Sequence, residues 1–291
     1  AGRALGPTDA YVRAELSDEG VATPMVGDSG HVVVGGVMVN GQGPFRFLLD
    51  TGATGGVRVD LALAERLGLE PIGTGETTDR GIGPGVEITQ YRVESVELGG
   101  AAWFGVRAAG RDLRSVAGGV DGVLALHLFD RCLLELDFPG REVRLRTGEL
   151  PRPDGKTVLR MPGDRLGARV LVDLPGRRLP ALIDTGSNAG VIVGERHERR
   201  LELAGETQAG AVSRTVSGVH ELRWAPIAGR ARVGEVDLGV DGVLLSPAVE
   251  WGNLGCGAMA GLIVTIDSVN RRVRFERADA ADAADPADHS E

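Results

Sequence analysis

Cysteine is nearly absent. Cys132 and Cys256 are the only two in 291 residues, too few for a disulfide framework or a cysteine-rich metal site. One bridge would use both, but they fall in different halves of the chain in apolar surroundings, and they read as buried free thiols. Histidine is scarce too. His31, His127, His197, His220 and His289 show no His-x-x-x-His spacing, which argues against a zinc enzyme, and neither a metal nor another cofactor is expected. No apolar run approaches the roughly 20 residues that a helix needs to span a bilayer. Basic residues are in the minority, and the formal net charge of -9 leaves no cationic surface for nucleic acid or an anionic membrane.

What the chain has in plenty is turn formers. Its 45 glycines and 14 prolines mark many tight turns between short apolar, β-branched runs, which favours β structure. The length suits two compact units of about 130–140 residues, each with its own core.

The chain also resembles itself at a shift of 134 residues. Pro44-Phe45-Arg46-Phe47-Leu48-Leu49-Asp50-Thr51-Gly52-Ala53 is followed by Gly56-Val57, and Leu179-Pro180-Ala181-Leu182-Ile183-Asp184-Thr185-Gly186-Ser187 by Gly190-Val191. Further on, residues 133–145 are echoed by residues 263–275, where the shift has slipped to 130. Loops of unequal length between duplicated elements account for such a slip. In the first half, residues 31–40 read as a strand, 41–43 as a hairpin turn and 45–49 as the returning strand. In the second, residues 169–174 and 179–183 repeat that hairpin around Pro175-Gly176. Residues 60–67 read as a helix with Asp60 as N-cap and Gly68 as its stop, and residues 195–203 as a weaker counterpart. The resulting organisation is an N-terminal extension at 1–24, a first lobe at 25–146, a linker at 147–164, a second lobe at 165–277 and a disordered acidic tail at 278–291.

Asp-Thr-Gly is short enough to arise once by chance, but here it occurs twice, each time closing an apolar strand that returns from a hairpin. Asp and Gly also make ordinary turns at strand ends. That reading explains neither the Thr nor the repetition. Attack of water on an amide needs one group to take a proton and another to give one. Two carboxylates about 3 Å apart do both, because such a pair retains a single proton and titrates as a unit. Packing two copies of one lobe about a pseudo-twofold axis would bring Asp50 and Asp184 together. Gly52 and Gly186 would let the backbone approach the carboxylates, and Thr51 and Thr185 would cross-brace the two loops.

These residues resemble the retropepsin and pepsin-like aspartic peptidases, over nearly all of 25–146 and 165–277. The resemblance implies an all-β fold of two pseudo-twofold-related β-barrel lobes with few short helices. It also implies an aspartic endopeptidase that cuts a peptide or protein held in an inter-lobe cleft. Glycine-rich flap hairpins are implied near 81–85 and 215–219, with Ile82, Gly83, Pro84, Val216, Ser217 and Gly218 at their tips. Two flaps and a low aromatic content of 4% point to a narrow cleft. The segment Val120 to Leu126 followed by Phe129 is similar to the family's apolar segment before a short helix, but has Ala125 and Leu126 where a glycine is usual. Its second-half counterpart is ambiguous between 240–246 and 254–261, the latter favoured because it directly precedes the last strand pair. Ser187 can hydrogen-bond the Asp184 carboxylate whereas Ala53 cannot do so for Asp50, so Asp184 is expected to ionise first and the optimum to be mildly acidic.

Since one chain carries both motifs, the active site requires no homodimer. The missing initiator methionine and the resemblance to exported bacterial proteins point to a periplasmic or secreted protein, with a cytoplasmic one as the alternative. A non-catalytic peptide-binding protein that has kept the fold is the main rival function, although neither Asp is replaced. An acidic metal-binding protein would need the alternating Asp/Asn loop that is missing here.

Overall fold

The computed structural model describes residues 2–5, 8–27, 30–79, 82–113, 119–163, 167–215 and 218–278. The predicted tail therefore lies, from residue 279 onward, outside the described residues. In chain order the strands of the first half are β1 (Gly2–Leu5), β2 (Arg13–Ser17), β3 (Val21–Pro24), β4 (Val33–Val39), β5 (Gln42–Asp50), β6 (Val57–Asp60), β7 (Pro71–Asp79), β8 (Ile82–Leu98), β9 (Ala101–Arg111), β10 (Gly122–Ala125), β11 (Leu133–Asp137) and β12 (Glu142–Arg146). Those of the second half are β13 (Val158–Arg160), β14 (Arg169–Leu174), β15 (Arg177–Ile183), β16 (Val191–Gly194), β17 (Gln208–Thr215), β18 (Gly218–Pro226), β19 (Arg232–Val233), β20 (Val236–Asp237), β21 (Gly242–Ser246), β22 (Gly252–Leu254), β23 (Leu262–Asp267) and β24 (Arg272–Arg277). The fold is all-β, as expected, with two short α-helices, α1 (Leu61–Arg66) and α2 (Cys256–Met259), and two 3-10 turns among the described residues.

In the first lobe six strands run in the order β9-β6-β10-β5-β4-β8, and the β8–β9 pairing closes them into a barrel. The second lobe repeats that order as β21-β16-β22-β15-β14, with β18 beside β21. Its far edge is continued by β19 and β20 among the described residues. The difference follows from strand length. β8 runs for 17 residues and its last residues reach β4 at Met38 and Val39, whereas β18 ends after nine at Pro226 and the contact with β14 is made by the separate short strand β19.

A third, six-stranded sheet joins the halves in the order β13-β24-β23-β11-β12-β3. It is palindromic. β11 pairs antiparallel with its own repeat β23, and β3 caps β12 as β13 caps β24. β3 and β13 lie within the stretches 1–24 and 147–164 that the sequence reading set outside the lobes, but their pairing makes them the matching outer strands of this shared sheet. The inner faces of all three sheets meet in a continuous apolar core that includes Phe47, Leu49, Leu124, Leu136, Ile183, Leu254, Val264 and Phe275, and burial of that surface is the main driving force for holding the lobes together.

Local expectations held with small shifts. The first hairpin turns at Asn40-Gly41 rather than 41–43, since both residues take positive φ (50° and 69°) and Val39 pairs with Gln42. Asn-Gly is the pair that accepts this two-residue turn with least strain. α1 begins at its N-cap Asp60, whose carboxylate accepts from Ala62 N–H at 3.0 Å, and ends before Gly68 at φ 62°. Its charged counterpart is a 3-10 turn at Glu195–Arg200. Cys132 and Cys256 are buried and free.

Candidate active site

The two Asp-Thr-Gly loops meet at the junction of the lobes. Each is delivered by the same local weave. β10 inserts between β5 and β6, parallel to the first and antiparallel to the second, and β22 inserts in the same way between β15 and β16. Asp50 ends β5 opposite Ala125, and Asp184 follows β15 with its N–H donating to Leu254 O at 2.9 Å. Apolar residues anchor both strands from behind, so the chain must turn as it leaves the core.

The threonines lock the loops to one another. Thr51 N–H donates to Thr185 Oγ1 at 3.0 Å, and Thr185 N–H to Thr51 Oγ1 at 3.1 Å. Each hydroxyl in turn donates across the junction, Thr51 to Ile183 O at 2.7 Å and Thr185 to Leu49 O at 2.6 Å. Both side chains are fully buried, where an unmade bond costs about 1–3 kcal/mol. The predicted cross-brace is thus present and reciprocal.

The glycines serve the opposite carboxylate. A Cβ on Gly52 would lie 2.4 Å from Asp184 Oδ1, and one on Gly186 would lie 2.6 Å from Asp50 Cγ. Neither takes a positive φ, so it is space rather than backbone freedom that requires glycine here. The same contacts place each carboxylate against the other loop. Asp50 Oδ1 accepts from Gly52 N–H and Ala53 N–H, both at 2.9 Å, and Asp184 Oδ1 from Gly186 N–H at 3.1 Å. Ala53 is buried, while Ser187 is half-buried and its Oγ accepts from Ala189 N–H at 3.4 Å.

One residue beside the carboxylates escaped the sequence reading. Asn253, in the middle of β22 and only 4% exposed, donates its Nδ2 to Asp184 Oδ2 at 2.5 Å. Its position in the first lobe is held by Val123, since β10 and β22 make the same pairings at a shift of 130. Applying that shift, already visible in the last strands, would have exposed a polar residue where its counterpart is apolar. Cys256, the first residue of α2, lies close by, and burial, followed by the Asp184 and Asp50 charges, pushes its thiol up to about 12.

The two predicted flaps are hairpins. β7 and β8 pair up to Asp79 and Ile82, and β17 and β18 up to Thr215 and Gly218. Ile82, Gly83 and Pro84 therefore belong to the start of β8 rather than to the turn. Gly81, Val216 and Ser217 lie outside the described residues. Of the two candidates for the counterpart of 120–129, residues 252–259 take the place, as β22 followed by α2, whereas 242–246 form β21, the counterpart of β9.

No curated protein matches the chain in sequence. Residues 35–128 match the family model described as aspartyl protease, a span that runs from β4 through the first Asp-Thr-Gly to the turn after β10. With that match and its two-lobed all-β architecture, the chain resembles the aspartic peptidase superfamily.

Proposed function

We propose that this protein is an aspartic endopeptidase whose catalytic pair is Asp50 and Asp184. The observation that carries the reading is the reciprocal packing of each carboxylate against the other loop's glycine. That packing supports the reading because two carboxylates held close together share a single proton. The ionised member takes a proton from a water lying between the carboxylates, and the protonated member donates to the substrate carbonyl oxygen as the water oxygen attacks the carbonyl carbon. The tetrahedral species then collapses as a proton passes to the leaving nitrogen and the C–N bond breaks.

The substrate is a peptide lying extended between the lobes, paired by backbone hydrogen bonds to the hairpins β7–β8 and β17–β18. One chain supplies the whole site, and no metal takes part.

The experiment is cleavage of a diverse peptide library from pH 3 to 8 with a chelator present, comparing the protein with Asp50→Asn and Asp184→Asn. Loss of cutting in both variants while they remain folded is expected. Retention of full activity by either would overturn the pairing.

A further inference from the structure

We propose that the N-terminal arm, residues 8–17, positions the Asp50 loop, with Ala10 as the residue that seats it, whereas the second lobe holds Asp184 without such an element. The role rests on the peptidase reading of the two carboxylates and assigns the arm a part in placing one of them.

The arm lies on the first lobe as an added edge. Arg13, Ala14 and Glu15 of β2 pair antiparallel with Phe104, Trp103 and Ala102 of β9. The run continues as Val12 N–H donates to Phe104 O and Arg107 N–H to Ala10 O, both at 3.0 Å. From Ala108 onward that edge of β9 is taken by β6, which starts at Val57. The arm and β6 therefore meet end to end, with Ala10 against Gly56. A Cβ on Gly56 would lie 2.9 Å from Ala10 Cβ and 3.3 Å from Ala10 O. Ala10, Tyr11, Ala14 and Leu16 are all buried in the common core. Tyr11 anchors the arm beside the turn that follows β10, where burial, then Cys132 and Asp130, raise its phenol above the ordinary value.

Gly56 links the arm to the carboxylate. Its carbonyl accepts from Ala125 N–H at 2.9 Å, and Ala125 is the residue of β10 opposite Asp50. The N–H of the adjoining Gly55 donates to His127 Nδ1 at 3.3 Å. A shift of Gly56 thus passes to Ala125 and, across the ladder, to Asp50. A reacting group has to be held within about 0.5 Å of its working position by what packs behind it. For Asp50 that packing includes the arm.

The second lobe makes the same internal bond with nothing laid over it. Gly190 stands in the place of Gly56, and its carbonyl accepts from Gly255 N–H at 3.0 Å. A Cβ on Gly190 would meet nothing within 4 Å. Neither glycine takes a positive φ, so a methyl group added at either position tests space alone.

The experiment compares Gly56→Ala, whose methyl group meets Ala10, with Gly190→Ala, whose methyl group enters open space. Gly56→Ala is expected to lower kcat at least ~10-fold more than Gly190→Ala, with little change in KM. Adding Ala10→Gly to Gly56→Ala removes the opposing Cβ and should restore most of the lost kcat. Equal losses in the two glycine variants, or a loss that Ala10→Gly does not relieve, would overturn the proposal. Ala10→Val loads the same contact from the arm and leaves the loop's own residues unaltered, so it decides the matter if Gly56→Ala does not fold. Full kcat in folded Ala10→Val would also overturn the proposal. A second readout needs no turnover. In nitrogen-15 NMR spectra, Ala10→Val is expected to move the amide signals of Gly52 and Ala53 more than those of Gly186 and Ser187. Unmoved Gly52 and Ala53 signals remove the positioning role even if the protein cleaves peptides. The expected shifts in a protein that cleaves nothing keep the arm's hold on the loop and remove the peptidase reading instead.

Discussion

Glu135 pairs directly with Thr265, the residue that occupies its own place in the second repeat. The pseudo-twofold axis of the molecule therefore runs through this pair, in the sheet that joins the lobes. Thr265 Oγ1 lies 3.4 Å from Glu135 Oε2, and the carboxylate, 4% exposed, is ringed by Arg144, Arg146 and Arg274. A buried carboxylate so paired is costly to disturb from one side, because its partners are left uncompensated. Glu135→Ala is expected to destabilise the fold by about 1–3 kcal/mol, the arginines escaping part of the penalty by reaching solvent. The midpoint of urea unfolding measures it.

The contact between Gly52 and Asp184 gives a second expectation. Gly52→Ala and Gly186→Ala each put a methyl group into the space of the opposite carboxylate. The loops must part to admit it, and displacement of about 1 Å at a reacting centre costs on the order of 100-fold in rate. Cleavage assays should show at least that loss in both variants, together with a lower melting temperature.

The threonine brace allows an isosteric test. Thr51→Val and Thr185→Val keep volume but strip an acceptor from the opposite N–H and a donor from a buried carbonyl. Each is expected to cost about 2–4 kcal/mol. Because the two hydroxyls form one network, the double variant should cost less than the sum, which a double-mutant cycle reads directly.

Both thiols should be inert in the native state. Burial pushes Cys132 and Cys256 up to about 12, so at pH 8 neither carries a reactive thiolate. A thiol reagent at that pH is expected to modify neither residue until denaturant is added, when both react. Rapid labelling of the native protein would contradict the burial described for them.

His197 supplies a pH dependence with a definite sign. Burial holds its imidazole below the usual histidine value, against the opposing pull of the Glu250 carbonyl at 3.1 Å, and its ring stacks on Trp251. The unfolded chain therefore binds a proton near pH 6.5 that the folded chain takes up only at lower pH. Stability from this group is full above that value and is lost as pH falls through the folded value. Melting temperatures between pH 7.5 and 5 should fall less steeply in His197→Phe than in the unaltered protein.

Much of the site was legible because it depends on local pattern. Asp-Thr-Gly after an apolar hairpin strand fixes where Asp50 and Asp184 emerge, and the duplicated spacing implies that they meet. The start of β8 at Ile82 was less legible, because the position of a turn within a glycine-rich hairpin depends on register, and the ladder from Tyr91 to Ile82 sets that register. The counterpart of Val120 to Phe129 shows a different difficulty. Val-Asp-Gly-Val-Leu occurs at both 120–124 and 240–244, yet the first copy enters β10 and the second β21. Identical residues take different places because a central strand accepts any short apolar run that fits its neighbours on both sides.

The sequence by itself determined the all-β class, the duplication, the two carboxylates and the glycines and threonines beside them, since each follows from composition, short-range periodicity or a motif whose parts are adjacent in the chain. Only the tertiary structure decided that β3 and β13 belong to the shared sheet, that Gly52 and Gly186 are required by the carboxylate of the opposite lobe, and that Asn253 stands at Asp184 where Val123 stands in the other half. Those facts join residues 69 or more positions apart, and contacts at such separations arise from the packing of strands against strands, which no local pattern encodes.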